Sequence, residues 1–193
     1  MTKSHKLALR SILIALIIVQ ANIPILGYIP LIVVNITLIH ITVIVASCIL
    51  SVWDGILLGL IWGVVKVIIA YSAPQSLMDT LIFQNPFVTI IPKVAIGFGA
   101  GFTFKWLNKY LNSNLAALFA GIIGSLTNTF TMLSCMVLFK HDELLTVYHA
   151  SSDSLNNILL SIISINGIPE AIVSALLVPI FVRIINIKMQ KYN

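Results

Sequence analysis

Long apolar segments separated by short polar stretches fill the sequence, and their lengths predict helices that span a membrane. A helix of about 20 mainly apolar residues crosses a bilayer, and proline, glycine and asparagine mark turns between several of these segments. The pattern predicts an all-α fold class, a single six-helix transmembrane domain over residues 1–193. The predicted spans cover residues 7–26, 32–50, 55–71, 87–107, 113–139 and 155–187.

The fifth segment has small and polar residues at spacings of three and four, which a helix gathers onto one face. In a membrane such a face turns toward other helices, because small residues allow close approach and polar groups need partners. An amide near the middle of a bilayer either joins helices or binds a solute, which makes Asn128 a candidate site residue. The face consists of Ala117, Gly121, Gly124, Ser125, Asn128, Thr131 and Cys135.

Charge is sparse and lies mainly on one side of the predicted topology. Only 9% of the residues are charged and 59% are hydrophobic, whereas a soluble domain carries about 25% charged residues. The positive-inside rule therefore assigns the net charge of +5 to membrane orientation and not to nucleic-acid binding. It predicts a multi-pass protein of the cell membrane with both termini in the cytoplasm. The cytoplasmic cations are Lys3, Lys6, Arg10, Lys105, Lys109, Arg183, Lys188 and Lys191, against Lys140 outside.

Motifs for catalysis or metal binding are missing from the sequence. Cys48 and Cys135 lie in apolar segments at no metal or disulfide spacing, and no nucleotide-binding loop or HExxH motif occurs. His40 is a lone helical histidine, which is typical of a hydrogen-bonded core residue. We expect no metal, no cofactor and no enzyme activity. Residues 1–10 are basic, but no cleavage site follows, so the first segment is expected to remain as a helix.

Lys66, Lys93 and Glu170 are ionisable residues inside predicted spans, and such residues are functional candidates by default. For Lys66, snorkelling to the outer headgroups is an equal alternative. Lys93 shares a helix face with Gly97 and Gly101, so it is expected to point toward other helices. A solute-binding or ion-pair role is favoured for it.

The sequence Asn166-Gly167-Ile168-Pro169-Glu170 predicts an interrupted helix in the sixth segment. Broken helices in membranes are tolerated where they line a cavity. Asn166, Glu170 and Ser174 follow one another at spacings of four, which predicts a polar stack. A structural ion pair between Glu170 and Lys93 is the alternative.

Small residues predict two close helix contacts. In the third segment Gly55, Gly59 and Gly63 form a ridge that indicates tight packing and no chemistry. The first segment has a small-residue patch that either docks another membrane subunit or packs within the chain. That patch consists of Ala8, Ser11 and Ala15.

Several sequence blocks resemble the substrate-binding S components of energy-coupling factor vitamin transporters. The size, the predicted spans and the cytoplasmic termini agree with that family, and the blocks look most like its pantothenate branch. They are Gly27-Tyr28-Ile29-Pro30, residues 35–44 (NITLIHITVI), Trp53-Asp54-Gly55, residues 58–63 (LGLIWG), Asn85-Pro86, Ile91-Pro92-Lys93, residues 124–129 (GSLTNT) and residues 166–171 (NGIPEA).

The resemblance implies a high-affinity vitamin site near the outer face, among the fourth, fifth and sixth helices, with the outer loops as a lid. It implies two kinds of partner, a membrane coupling subunit and a pair of ABC-type ATPases, with Ala8, Ser11 and Ala15 docking the coupling subunit. Pantothenate is the favoured substrate, and pyridoxine or hydroxymethylpyrimidine is the alternative.

A pantothenate site needs a cation for the carboxylate and polar groups for the amide and the hydroxyls. Lys93 is the best-placed cation, and Asn128 can both donate and accept hydrogen bonds. The other substrate-binding candidates are Asn166 and Glu170, for the hydroxyls, and Tyr28 and Asn35, for the lid.

Two other functions stay open from the sequence. An ion- or proton-coupled carrier would use Lys93 and Glu170 as a relay, but no inverted repeats are evident and the chain is short for a carrier that acts alone. An intramembrane enzyme is the weakest candidate, because no nucleophile–base pair or metal set is visible.

Overall fold

The computed structural model describes residues 3–30, 35–148 and 152–190, which are mainly helical with one small β-hairpin. Two π-helical turns (Asp79–Phe83 and Ile163–Gly167) and a 3-10 turn (Ser152–Ser154) connect or interrupt the helices. The other elements are α1 (Lys3–Asn22), α2 (Pro24–Gly27), β1 (Tyr28–Pro30), β2 (Asn35–Thr37), α3 (Ile39–Ile49), α4 (Val52–Ser72), α5 (Pro86–Leu107), α6 (Ser113–Phe139), α7 (His141–Val147), α8 (Leu155–Ile162) and α9 (Ile168–Gln190).

Five helical stretches among the described residues are long and apolar enough to cross a membrane, as expected of a membrane protein. They are α1, α4, α5, α6 and the stretch Leu155–Ile187 that joins α8 to α9. Helix α6 has the bounds that the sequence predicts. Its N-terminus is capped by Asn112, whose side chain accepts a hydrogen bond from the Leu115 N–H at 2.9 Å.

The prediction of one continuous helix over residues 32–50 is wrong. Residues Asn35–Thr37 form β2, which pairs antiparallel with β1, and α3 has only 11 residues. At 1.5 Å per residue α3 is about 16 Å long, roughly half of a bilayer's apolar thickness. The run of isoleucine, valine and threonine hid this boundary, because such residues suit a buried strand as well as a buried helix.

Helix α3 lies at the centre of the bundle. Every residue from Ile39 to Ser47 is buried, and α3 contacts α4, α5, α6 and α9. A helix that is apolar on all sides is stable only inside a larger assembly of helices. The short helix is therefore surrounded by the five long helical stretches.

The sixth segment stays helical where the sequence predicts an interruption. The chain forms a π-helical turn at Ile163–Gly167 and continues directly into α9. Pro169 lies where the π-helical turn passes into α9, and its ring removes a backbone N–H and crowds the preceding turn, which favours an irregularity there. The irregularity is therefore one wide turn, a feature that often occurs at functional sites.

Helices α4 and α5 pack with their backbones in contact along the predicted glycine ridge. A side chain at Gly59 would collide with the backbone of Lys93, and one at Gly97 would collide with the backbone of Gly55. Such close approach is what small residues allow between membrane helices. The predicted ridge is confirmed, and it holds the Lys93 backbone directly against α4.

Candidate functional site

Lys93 is buried, with 5% of its surface exposed, and its ammonium lies against aromatic rings. Its Nζ is 4.9 Å from the centre of the Trp62 ring on α4 and 5.9 Å from the centre of the Phe83 ring. Among the described residues no carboxylate lies within ion-pair distance of it. Cation–π contacts stabilise the ammonium in this position and leave it able to bind an anion.

Glu170 is buried on α9 and is hydrogen-bonded to the hairpin, not to Lys93. Its Oε1 accepts from the backbone N–H of Thr37 at 2.9 Å, across 133 positions of sequence. The alternative, an ion pair between Lys93 and Glu170, is not present among the described residues. A carboxylate that binds a backbone N–H makes a charge-assisted hydrogen bond, which ties the end of β2 to α9.

Unpaired polar groups lie inside the bundle on α4 and α6. Within the part of the chain that the structure describes, the Trp62 Nε1, the Ser125 Oγ and the Asn128 Oδ1 are buried without a hydrogen-bond partner. Nearly all buried polar groups in proteins are paired, so such atoms mark positions where a polar ligand can gain hydrogen bonds. Asn128 and Trp62 therefore extend the candidate site beyond Lys93.

The register between α5 and α6 sets the depth of the site. Gly99 on α5 packs against Thr127 on α6, and the short link between these consecutive helices makes them antiparallel. Counting from that contact at 1.5 Å per residue, the Lys93 and Asn128 backbones differ by about 7 Å along the bundle axis. The Asn128 backbone thus lies nearer than the Lys93 backbone to the end of the bundle at which the link between α5 and α6 lies.

Lys66 has a buried ion-pair partner that the sequence did not predict. Its Nζ lies 2.6 Å from the Asp79 Oδ1, and 5.5 Å from the centre of the Phe83 ring. The snorkelling alternative for Lys66 is therefore wrong. Asp79 lies between the third and fourth predicted spans, where the π-helical turn buries it, and its Oδ2 accepts from the Gln75 N–H at 2.9 Å.

A sequence signal for this pair was present. Asp79 is the only acidic residue between the third and fourth predicted spans, and Lys66 is the only cation within the third. Two opposite charges at neighbouring ends of apolar segments favour pairing, because each is costly to bury alone.

The remaining substrate-binding candidates have less defined positions. Asn166 is half-buried in the second π-helical turn, and the wider turn breaks the simple spacing of four that would stack it on Glu170 and Ser174. The backbones of Tyr28 and Asn35 lie in the paired strands β1 and β2. The side chains of these two residues are outside the part that the structure describes.

His40 has the hydrogen-bonded core role that the sequence favours. It is fully buried on α3, and its Nε2 lies 2.8 Å from the Ser174 Oγ on α9. Nearby, the Thr42 hydroxyl donates to the Gln20 Oε1 on α1 at 2.9 Å. These contacts join the central helix to two of its neighbours, and the described residues contain no cluster suited to a metal ion.

Helix α1 lies at the edge of the bundle and exposes the small-residue patch. Ala8, Ser11 and Ala15 are all exposed. The helix is tied to the bundle near its N-terminus by an ion pair, with the Arg10 Nε 2.5 Å from the Asp54 Oδ1. The patch is accessible to another membrane protein.

Comparison with known proteins identifies the family of this chain. Residues 5–182 match a family model described as the ECF transporter, substrate-specific component. The chain belongs to this family. The family resemblance seen in the sequence blocks is confirmed, and the S component is part of a transporter and not an enzyme.

Two curated relatives resemble the S component over most of its length. One, from Leuconostoc mesenteroides subsp. mesenteroides, is named pantothenate transporter PanT, and is 33% identical over 183 residues, covering 91% of this chain and 89% of the relative. The other, from Lactococcus lactis subsp. cremoris, is named pantothenic acid transporter PanT. It is 30% identical over 154 residues, covering 73% of this chain and 72% of the relative.

The contact between Glu170 and the hairpin gives a first prediction. Glu170→Ala removes the acceptor for the Thr37 N–H, and a hydrogen bond to a charged group contributes about 1.5–3 kcal/mol. We expect amide exchange at Thr37 to rise by about 10-fold or more, because local opening controls exchange. Glu170→Gln keeps an acceptor oxygen and should give a smaller increase. Hydrogen–deuterium exchange of the hairpin peptides measures both, with Glu143→Gln as the control at the protein surface. Unchanged exchange in Glu170→Ala would contradict the contact.

Proposed function

We propose that the S component binds pantothenate at the site around Lys93 and serves as the substrate-binding subunit of an ATP-driven vitamin uptake transporter. The observation that supports the substrate is a buried ammonium with no carboxylate partner among the described residues, in a chain whose relatives are named for pantothenate. An isolated buried charge is costly, and a ligand carboxylate would compensate it.

The shape of pantothenate suits the order of polar groups in the bundle. The molecule has a carboxylate at one end, an amide in the middle and two hydroxyls at the other end. In this proposal Lys93 binds the carboxylate, and Asn128, about 7 Å deeper along the bundle axis by the helical rise, bonds the amide or a hydroxyl. The unpaired Nε1 of Trp62 donates a further hydrogen bond to the ligand.

The hairpin and the second π-helical turn complete the proposed site. Tyr28 and Asn35, in the paired strands, act as the lid, and Glu170 holds the lid through the Thr37 N–H. Asn166, half-buried in the wide turn, contributes to binding of the hydroxyl end. In this scheme Glu170 acts mainly on the lid and only secondarily on the ligand.

We further propose that residues 1–193 are one membrane domain with six membrane helices and both termini in the cytoplasm. Helix α3 is too short to cross the membrane alone. It is included among the six because the hairpin that precedes it extends the same crossing. The cation distribution supports the orientation. The exposed rings of Trp106 and Tyr110, which pack edge to face beside Lys105 and Lys109, suit a membrane–water interface at this end of α5.

The proposed partners are a membrane coupling subunit and two ABC-type ATPases, since the S component has no nucleotide-binding motif. The exposed patch of Ala8, Ser11 and Ala15 is proposed to dock the coupling subunit. Small side chains let a partner helix approach the α1 backbone closely.

Equilibrium binding to the purified S component tests the substrate and the role of Lys93 together. Radiolabelled pantothenate should bind saturably, and unlabelled pyridoxine or hydroxymethylpyrimidine should not displace it. Lys93→Met keeps most of the side-chain volume but removes the charge, and should weaken pantothenate binding by about 10- to 100-fold, as for the loss of a charged hydrogen bond. Lys105→Met, an exposed position on the same helix, is the control and should bind normally.

Binding of a competitor vitamin in place of pantothenate would contradict the proposed substrate. Equal pantothenate affinity in the Lys93→Met and Lys105→Met variants would contradict the carboxylate clamp. Pantothenate uptake by cells that lack the ATPase subunits, abolished by a protonophore, would indicate an ion-coupled carrier instead.

The orientation is tested by labelling single cysteines in intact cells after Cys48 and Cys135 are replaced by serine. Asn108→Cys lies in the link between α5 and α6, and Gln75→Cys lies between α4 and α5. A maleimide that does not cross membranes should label Gln75→Cys in intact cells, and Asn108→Cys only after the cells are opened. The reverse pattern would show that the termini face outward.

The docking patch is tested by Ala15→Trp, because a large side chain keeps a partner helix from approaching the α1 backbone. We expect the variant to lose most of its co-purification with the coupling subunit while its pantothenate affinity stays within about twofold, since Ala15 is exposed and lies on a different helix from Lys93. Phe98→Trp, an exposed position on α5, is the control. Normal complex formation by Ala15→Trp would exclude this face.

A further inference from the structure

The Lys66–Asp79 ion pair lies beside the proposed ligand site. The Lys66 Nζ is 5.5 Å and the Lys93 Nζ is 5.9 Å from the centre of the same Phe83 ring. Phe83 ends the π-helical turn that also contains Asp79. One short turn therefore supplies both a carboxylate for one lysine and an aromatic contact for both.

The two lysines differ in how their charge is compensated. Lys66 is paired with Asp79 at 2.6 Å, and the side chains are 15% and 3% exposed. Lys93 has aromatic neighbours and no carboxylate at ion-pair distance among the described residues. Glu170, the other buried acid nearby, is already bonded to the Thr37 N–H. The site thus has two ammonium groups and one of them is neutralised locally.

We infer that Asp79 is a specificity-determining residue that neutralises Lys66 and so makes the site select ligands with a single carboxylate. The inference deepens the proposed function and rests on it. A neutral ligand leaves the Lys93 charge uncompensated. A dianion adds a second negative charge for which no free ammonium is present, and burying that charge unpaired is costly.

The expected size of the effect follows from Coulomb's law. Two unit charges about 10 Å apart, at an effective dielectric constant of about 20, change a binding constant by about tenfold. Because both ammonium groups contact one ring, they are at most about 11 Å apart, and a ligand carboxylate on Lys93 interacts with Lys66 over a distance of about that order. Removing either partner of the pair should therefore change anion affinity by about tenfold, in opposite directions for the two partners.

Three ligands with one common scaffold measure this selectivity by calorimetry on the purified, full-length S component. Pantothenate has one carboxylate, and pantothenol has a neutral alcohol in its place. N-pantoyl-aspartate has a second carboxylate at the same end of the molecule. The wild type should bind pantothenate most tightly of the three.

The variants change charge at nearly constant volume. Asp79→Asn removes the carboxylate that neutralises Lys66, and should raise the affinity for N-pantoyl-aspartate relative to that for pantothenate by about tenfold. Lys66→Met leaves the Asp79 carboxylate without its cation, and should lower the affinity for pantothenate relative to that for pantothenol by about tenfold. The double variant Lys66→Met/Asp79→Asn removes both charges, and should restore the wild-type ratios between ligands. A purely structural role for the pair would change the affinity of all three ligands together and leave the ratios unaltered.

Unaltered ligand ratios in both single variants would overturn the inference while leaving the proposed function intact. If Asp79→Asn does not fold, the test uses the ratio of the affinity for pantothenate to the affinity for pantothenol. This ratio is compared between Lys66→Met and the double variant, and equal ratios would overturn the inference. A folded wild type that binds none of the three ligands would instead overturn the proposed function, and the inference with it.

Discussion

The cost of burying a charge inside an apolar bundle determines how the part of this S component around the candidate site is built. Lys66 is paired with Asp79 at 2.6 Å, and Glu170 accepts a backbone N–H from the hairpin. Each of these contacts joins segments that are distant in sequence, so satisfying the charge also fixes the position of a turn or a strand. Lys93 is the exception, because its ammonium contacts aromatic rings and has no carboxylate at ion-pair distance among the described residues.

Close backbone packing makes that exception possible. The glycine ridge brings the α5 backbone at Lys93 against Gly59, one turn from Trp62. A larger residue at Gly59 would separate the helices and remove the ring from the ammonium. The polar chemistry of the site therefore depends on glycines, which have no side chain. The sequence indicates only tight packing for this ridge, but in the structure the ridge also positions the site.

Local signals in the sequence predicted much of the fold, and contacts between distant segments account for the differences. The bounds of α6 were predictable because its apolar run ends at an asparagine cap and at Lys140. The burial of Lys93 and the core role of His40 followed from spacing and context. The hairpin was missed because β-branched residues in an apolar run suit two structures. The Lys66–Asp79 pair was missed because it depends on a π-helical turn that folds Asp79 back toward α4. The role of Asn166 rests on its spacing in the sequence, the lid role of Tyr28 and Asn35 rests on the family resemblance, and both stay predictions.

The small hairpin has a consequence for the speed of ligand exchange. Its two strands pair over three residues, Leu38 bonds back to Gly27 at 2.8 Å at the base of the hairpin, and Thr37 bonds to Glu170 on α9. Short strands of this kind open at a lower free-energy cost than the long helices around them. If the hairpin covers the ligand, the residence time of a bound vitamin is set by how often this hairpin detaches, and tight binding is then compatible with rapid loading.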